Sequence, residues 1–86
     1  MKITFDPAKR DAALEERGLD FAEAGLVFAG RTFSQRDDRE PRTVTAGYLG
    51  NRMVVIVWTP RGDARHIISM RYCHAKEESN WREQMG

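Results

Sequence analysis

The stretch RTVTAGYLGNRMVVIVWTPRGDARHIISMRY, residues 42–72, decides the fold. Residues 42–49 alternate and are rich in Thr and Val, as a half-buried strand requires. Gly50-Asn51 then supplies a two-residue hairpin turn with Gly first, the type II′ pattern. Residues 52–59 are continuously apolar in their middle, the signature of a central strand covered on both faces. Pro60-Arg61-Gly62-Asp63 reads as a turn, and 64–72 as the last strand. Three consecutive strands joined by tight turns make an antiparallel meander.

Upstream of the meander, Thr32 to Ser34 is a short strand followed by a charged loop, residues 35–41. Before it the period changes to that of helices. Asp6-Pro7 combines an N-cap with a proline at the first helical position, and Gly18 offers a left-handed stop. Asp20-Phe21-Ala22-Glu23 is a capping box that opens a second short helix ending at Gly30. Phe21, Ala24 and Phe28 share its apolar face. Residues 2–5 form a first strand, and residues from His74 onward a C-terminal helix. The order is β-α-α-β-β-β-β-α, an α+β fold with an antiparallel sheet and a helical hairpin on one face. No repeat or linker interrupts it, so residues 1–86 are expected to form one domain.

Composition narrows the function. Eighty-six residues, 41% hydrophobic and 31% charged, suit one small globular core. The longest apolar run, residues 53–58, cannot span a bilayer, and the N-terminus has no signal-like apolar region. A single cysteine, Cys73, permits neither an intrachain disulfide nor a cysteine-based zinc site, and favours a reducing cytoplasmic setting. It is expected to be a buried, inert thiol. Net charge is only +1, yet residues 31–71 hold eight basic and four acidic side chains, and all eight are arginine. Arginine pairs bidentately with phosphate, so an arginine-only block suits a local phosphate site.

The candidate chemistry lies in residues 65–71, Arg-His-Ile-Ile-Ser-Met-Arg. Strict alternation puts Arg65, Ile67, Ser69 and Arg71 on one face, along about 20 Å of strand. His66, Ile68, Met70 and Tyr72 then meet the helices, which makes His66 a structural histidine. Arginines facing Arg42 or Arg52 on neighbouring strands would repel one another unless an anion sat between them. With His66 and His74 the only histidines, no metal-ligand spacing is present, and no glycine-rich phosphate loop occurs.

The chain resembles the BrnT family of small bacterial toxins, ribonucleases of type II toxin–antitoxin pairs with a RelE-like fold. The resemblance rests on Phe5-Asp6-x-x-Lys9, on Gly18-x-x-Phe21-x-x-Ala24-x-x-Val27-Phe28, and on Arg42 with Ala46-Gly47. Its most specific block is Ile67-Ile68-Ser69-x-Arg71, with Glu77 beyond it. It implies cleavage of RNA without a metal or other cofactor, and a cognate BrnA-like antitoxin that silences the toxin. It also implies operator DNA contacted only through the antitoxin complex, and no membrane partner. Metal-free cleavage needs a base for the 2′-hydroxyl and cations for the phosphorane. Under the resemblance, Arg42, Arg65 and Arg71 are candidate cations, and Ser69 a phosphate-positioning hydroxyl. Glu40, Lys9 and Glu77 are candidate bases, and Arg52 and Arg61 RNA-binding residues. Many relatives have Lys-His-Gly where this chain has Glu16-Arg17-Gly18, and Asn where it has Ala13. Those departures open a second reading: a weakened or inactive member that acts as an antitoxin-binding, co-repressing module. Direct DNA binding by the chain alone is the poorer reading, because no helix is basic.

Overall fold

A computed structural model describes residues 1–85. Its elements are β1 (Lys2–Phe5), α1 (Pro7–Arg17), a 3-10 turn (Phe21–Glu23) and α2 (Ala24–Ala29). They continue as β2 (Thr32–Asp37), β3 (Arg42–Leu49), β4 (Arg52–Arg61), β5 (Ala64–Tyr72) and α3 (Ala75–Met85). The α+β class is borne out. The five strands lie in the order β1-β5-β4-β3-β2. β2 to β5 are antiparallel neighbours, but β1 pairs parallel with β5, so the sheet is mixed. The expectation of a purely antiparallel sheet is corrected by topology. The chain leaves β1 at one edge, crosses the sheet through the helical hairpin, and returns strand by strand until β5 lies beside β1.

Local chemistry sets the boundaries. The Asp6 carboxylate accepts from the Ala8 N–H at 3.0 Å to open α1, and Gly18 closes it at φ 70°. Asp20 accepts from the Ala22 N–H at 2.9 Å, one residue earlier than a capping box would reach, and a 3-10 turn follows. The same carboxylate takes a two-pronged guanidinium bond from Arg10, at 2.9 and 3.0 Å, which fastens α1 to that turn. The tighter opening moves the buried stripe to Phe21, Ala24 and Val27, leaving Phe28 half-buried. β2 runs three residues beyond its expected end, shrinking the loop to residues 38–41. β4 likewise extends through Pro60, opposite Arg65, where β3 has no further residue to pair with proline.

The main core lies between the hairpin and one sheet face. Ala13, Leu19, Phe21, Ala24 and Val27 meet Val54, Ile56, Ile67 and Met70 there. Each large side chain so buried contributes about 1.5–3 kcal/mol. On the opposite face, Ala46, Met53 and Val55 are also buried, and α3 lies across that end. No residue of α3 is itself fully buried. Its anchors are the tilted contact of Trp81 with Phe33 at 5.9 Å and the bond of Arg82 Nε to the Tyr48 hydroxyl at 3.2 Å. To these are added a two-pronged ion pair, Arg71 with Glu77 at 2.8 and 2.7 Å, and the bond of the Arg31 guanidinium to the Met85 carbonyl at 2.8 Å. The far end of this face stays uncovered.

One irregularity decides which side chains reach that open end. Val57 pairs with Ser69 and Trp58 with Ile67, so Ile68 is an extra residue, a β-bulge in β5. A one-residue slip turns every following side chain to the other face. Ile67 and Met70, three apart, therefore both face the hairpin core. No helix among the described residues is long and apolar enough to cross a membrane.

Candidate active site

The bulge corrects the expected faces of β5. Before it, Arg65 and Ile67 point to the hairpin side, while His66 points to the opposite face. After it, Met70 and Tyr72 face the hairpin, and Ser69 and Arg71 the opposite side. His66 thus shares a face with Ser69 and Arg71, and Arg65 does not. Nor does arginine face arginine across the sheet: Arg65 is opposite Pro60, and Arg71 opposite Val55.

Each expected cation now has a definite environment. Arg65 lies over the rings of Phe28 and Trp58, 4.5 and 4.4 Å from their centroids, on the hairpin side. Arg71 gives both prongs of its guanidinium to Glu77, whose carboxyl is held down to about 2 by those bonds. Glu77, expected among the candidate bases, is therefore an ionised anchor for α3. Arg52 stacks on Tyr72 at 3.6 Å, about 30 Å along β4 from Arg61. Glu40 pairs with Arg42 at 3.0 Å on the exposed rim. Cys73 is half-buried, and desolvation, with the Glu77 charge beside it, raises its thiol to about 11.

What the fold does bring together is a cleft of about 480 Å³ at the open end of the second face. Lys9 from the first turn of α1, Arg42 from β3, and Thr59 and Arg61 from β4 line it around His66 of β5. Asp6 stands at its edge, with one carboxylate oxygen committed to capping α1. Neither Lys9 nor Arg61 has a hydrogen-bond or ion-pair partner among the described residues, so two cations face this cleft without a counter-ion. Lys9, Arg42 and Arg61 outnumber the one carboxylate of the lining, Asp6, and such an excess of cations around a concavity makes an anion site.

His66 is the residue that sequence reasoning assigned to structure and the fold delivers to the cleft. Its Nδ1 is 2.9 Å from the Thr4 hydroxyl, its cross-strand partner in β1. Nε2 has no intramolecular partner among the described residues. Partial burial, with help from the charges of Arg61 and Lys9 and against that of Asp6, pushes its pKa below the usual 6.5. At neutral pH the ring is uncharged among cations, able to accept a proton at one nitrogen while the other is held. The signal in the sequence is the Ile67-Ile68 doublet, which breaks the alternation where the bulge falls.

The fold is that of a small α+β domain with a cationic cleft at one end of its sheet, and the comparisons give its family. The sequence model of the ribonuclease toxin BrnT, of type II toxin–antitoxin systems, matches residues 5–77, and the chain belongs to that family. Among solved structures it is similar to the ribonuclease toxin BrnT of Brucella abortus, with a TM-score of 0.75 and 27% sequence identity. That likeness covers 86% of this chain and 97% of the Brucella chain. No curated protein sequence matches. Membership makes an antitoxin the partner class and a ribonuclease the activity class. Arg17, in the last turn of α1, reaches the Met70 carbonyl with its guanidinium at 3.5 Å.

Proposed function

We propose that this chain is an endoribonuclease that cuts RNA by attack of the RNA's own 2′-hydroxyl, with His66 as the base and with no metal. The reading places it among RelE-like toxins, acting in the cytoplasm and restrained by a BrnA-like antitoxin through which alone it meets operator DNA. The observation that carries it is the shared cleft in which His66, its basicity lowered by burial and by the neighbouring cations, meets Lys9, Arg42 and Arg61. His66 Nε2 takes the 2′-hydroxyl proton as that oxygen bonds to phosphorus. The bond to the 5′-oxygen breaks, and the leaving oxygen takes a proton from Lys9 or from the imidazolium just formed. The products are a 2′,3′-cyclic phosphate and a 5′-hydroxyl. Lys9, Arg42 and Arg61 hold the phosphorane charge, the work a metal would otherwise do. Ser69 shares the face and positions the substrate backbone from the α3 side. Thr4 orients the imidazole as a positioning residue.

The test is expression of the chain alone and with the neighbouring gene, followed by cleavage assays on purified protein. Growth arrest relieved by co-expression, cyclic-phosphate ends, survival in EDTA and resistance of DNA are the expected results. Unimpaired growth with soluble, folded chain would instead favour the non-catalytic antitoxin-binding module. Loss of cleavage on chelation, restored by Mg²⁺, would remove the metal-free mechanism.

A further inference from the structure

We propose that a second cleft, on the far side of the wall formed by Arg42 and Thr59, is a slot for a nucleobase next to the cleaved phosphate. The inference rests on the reading of the His66 cleft as an RNA phosphate site and adds to it the choice of substrate. The two clefts share Arg42 and Thr59 and differ in character. The first is ringed by cations. The second, of about 520 Å³, has a mostly apolar wall made by Trp58, Pro41 and Pro60, with Arg36 at its rim. That size lies within the roughly 300–1,000 Å³ of ordinary ligand sites.

The strand geometry explains the adjacency. Trp58 and Thr59 are successive residues of β4, so they point to opposite faces, and β3 begins at Arg42 beside them. An RNA strand lying over this end of the sheet would leave its phosphate on the Thr59 side and turn the attached base to the Trp58 side. The indole is fixed for that contact. Its Nε1–H donates to the Thr45 hydroxyl at 2.8 Å, Phe28 meets it edge-on at 5.7 Å, and Arg65 lies over the ring at 4.4 Å. Trp58 remains half-buried, so a rigid aromatic is presented with little rotamer freedom to lose on binding. Aromatic–base stacking beside a cationic track is the common device of single-strand recognition. On this account the stacked Arg65 serves specificity by holding Trp58, not by touching phosphate.

The experiment uses the full chain carrying Trp81→Phe, which leaves Trp58 the sole indole, and dinucleotides with a cleavage-resistant 2′-O-methyl group. Expected is a saturable change in Trp58 emission that depends on the base and is absent with an abasic phosphodiester of the same charge. Trp58→Leu should weaken dinucleotide binding roughly 10- to 100-fold and flatten base preference in cleavage of a randomised RNA. Trp58→Phe should stay within a few-fold. Should Trp58→Leu fail to fold, the emission titration decides by itself. Binding that perturbs Lys9, Arg61 and His66 resonances but leaves Trp58 emission unmoved, or an equal response to the abasic probe, overturns the slot and leaves the ribonuclease reading standing. No binding by any dinucleotide at either cleft overturns both. Emission that answers only to the purified antitoxin marks the slot as a protein contact and also defeats the proposal.

Discussion

The two ends of one sheet face use the same residue type in opposite ways. At the α3 end, Arg71 is paired through both prongs of its guanidinium with Glu77, and side chains of α3 lie over the strands. At the other end, Arg61 and Lys9 have no partner among the described residues, and a histidine with lowered basicity lines the same cleft. An arginine whose donors are already engaged is an element of stability. One whose donors are idle can serve an incoming anion. Arginine count could not separate the two, because the partner decides the role and the partner comes from elsewhere in the chain.

The largest effect that could break this contrast is on catalysis. His66→Gln should lower cleavage about 10²–10⁴-fold with an unchanged circular dichroism spectrum. Arg71→Ala should leave cleavage within a few-fold. A folded His66→Gln protein that still cut RNA at the parental rate, beside an inactive Arg71→Ala, would reverse the assignment of the two ends. Next come the idle cations: Arg61→Ala should cost about 10²–10³-fold in kcat/KM and reduce the salt slope of RNA binding by about one.

Stability effects are smaller and fall at the covered end. Glu77→Gln should lower unfolding free energy by about 1–2 kcal/mol, read from urea midpoints, since Arg71 keeps 43% of its side chain exposed and solvent screens the pair. Because the folded carboxyl is held down to about 2, this stabilisation is present above the ordinary carboxylate range and is lost as pH falls from about 4.5 towards 2. Near-ultraviolet dichroism of Trp81 would follow it. His66 titrates the other way round for activity. Its lowered pKa keeps the base form populated at neutral pH, so the acid limb of kcat/KM should lie below 6.5 and move upward in Arg61→Ala. The smallest expected effect is that of Arg52→Ala, within two-fold on RNA affinity, because its guanidinium sits on Tyr72 at the remote end of β4.

Much of the architecture was legible. Pro7, Gly18, Gly50 and Gly62 punctuate the chain where elements start and stop, and Gly50 and Gly62 take φ of +64° and +60° as the first residues of two-residue turns. The family pattern was legible too, in Ile67-Ile68-Ser69-x-Arg71. The parallel pairing of β1 was not, because nothing in Lys2–Phe5 says which edge it will join. The site was half legible: Arg42, Arg61 and Lys9 meet in the cleft, whereas Arg65, Arg71, Arg52 and Glu77 are engaged elsewhere. There are two causes: the partners that engage Arg71, Glu77 and Arg52 come from elsewhere in the chain, and the exchange of Arg65 for His66 comes from the bulge. Alternation assigns faces only while a strand keeps its period, and the adjacent Ile67 and Ile68 mark the place where this one skips.

The bulge at Ile68 gives β5 something like a reading frame. Replacing Ile68 by another apolar residue would disturb packing locally, whereas deleting it would bring the strand back into phase. One half would then have to exchange its contents, putting His66 among the helices or Arg71 into the core. What this strand must preserve through descent is therefore its length as much as its letters, and a lineage could silence the enzyme by losing one codon while keeping every charged residue it has.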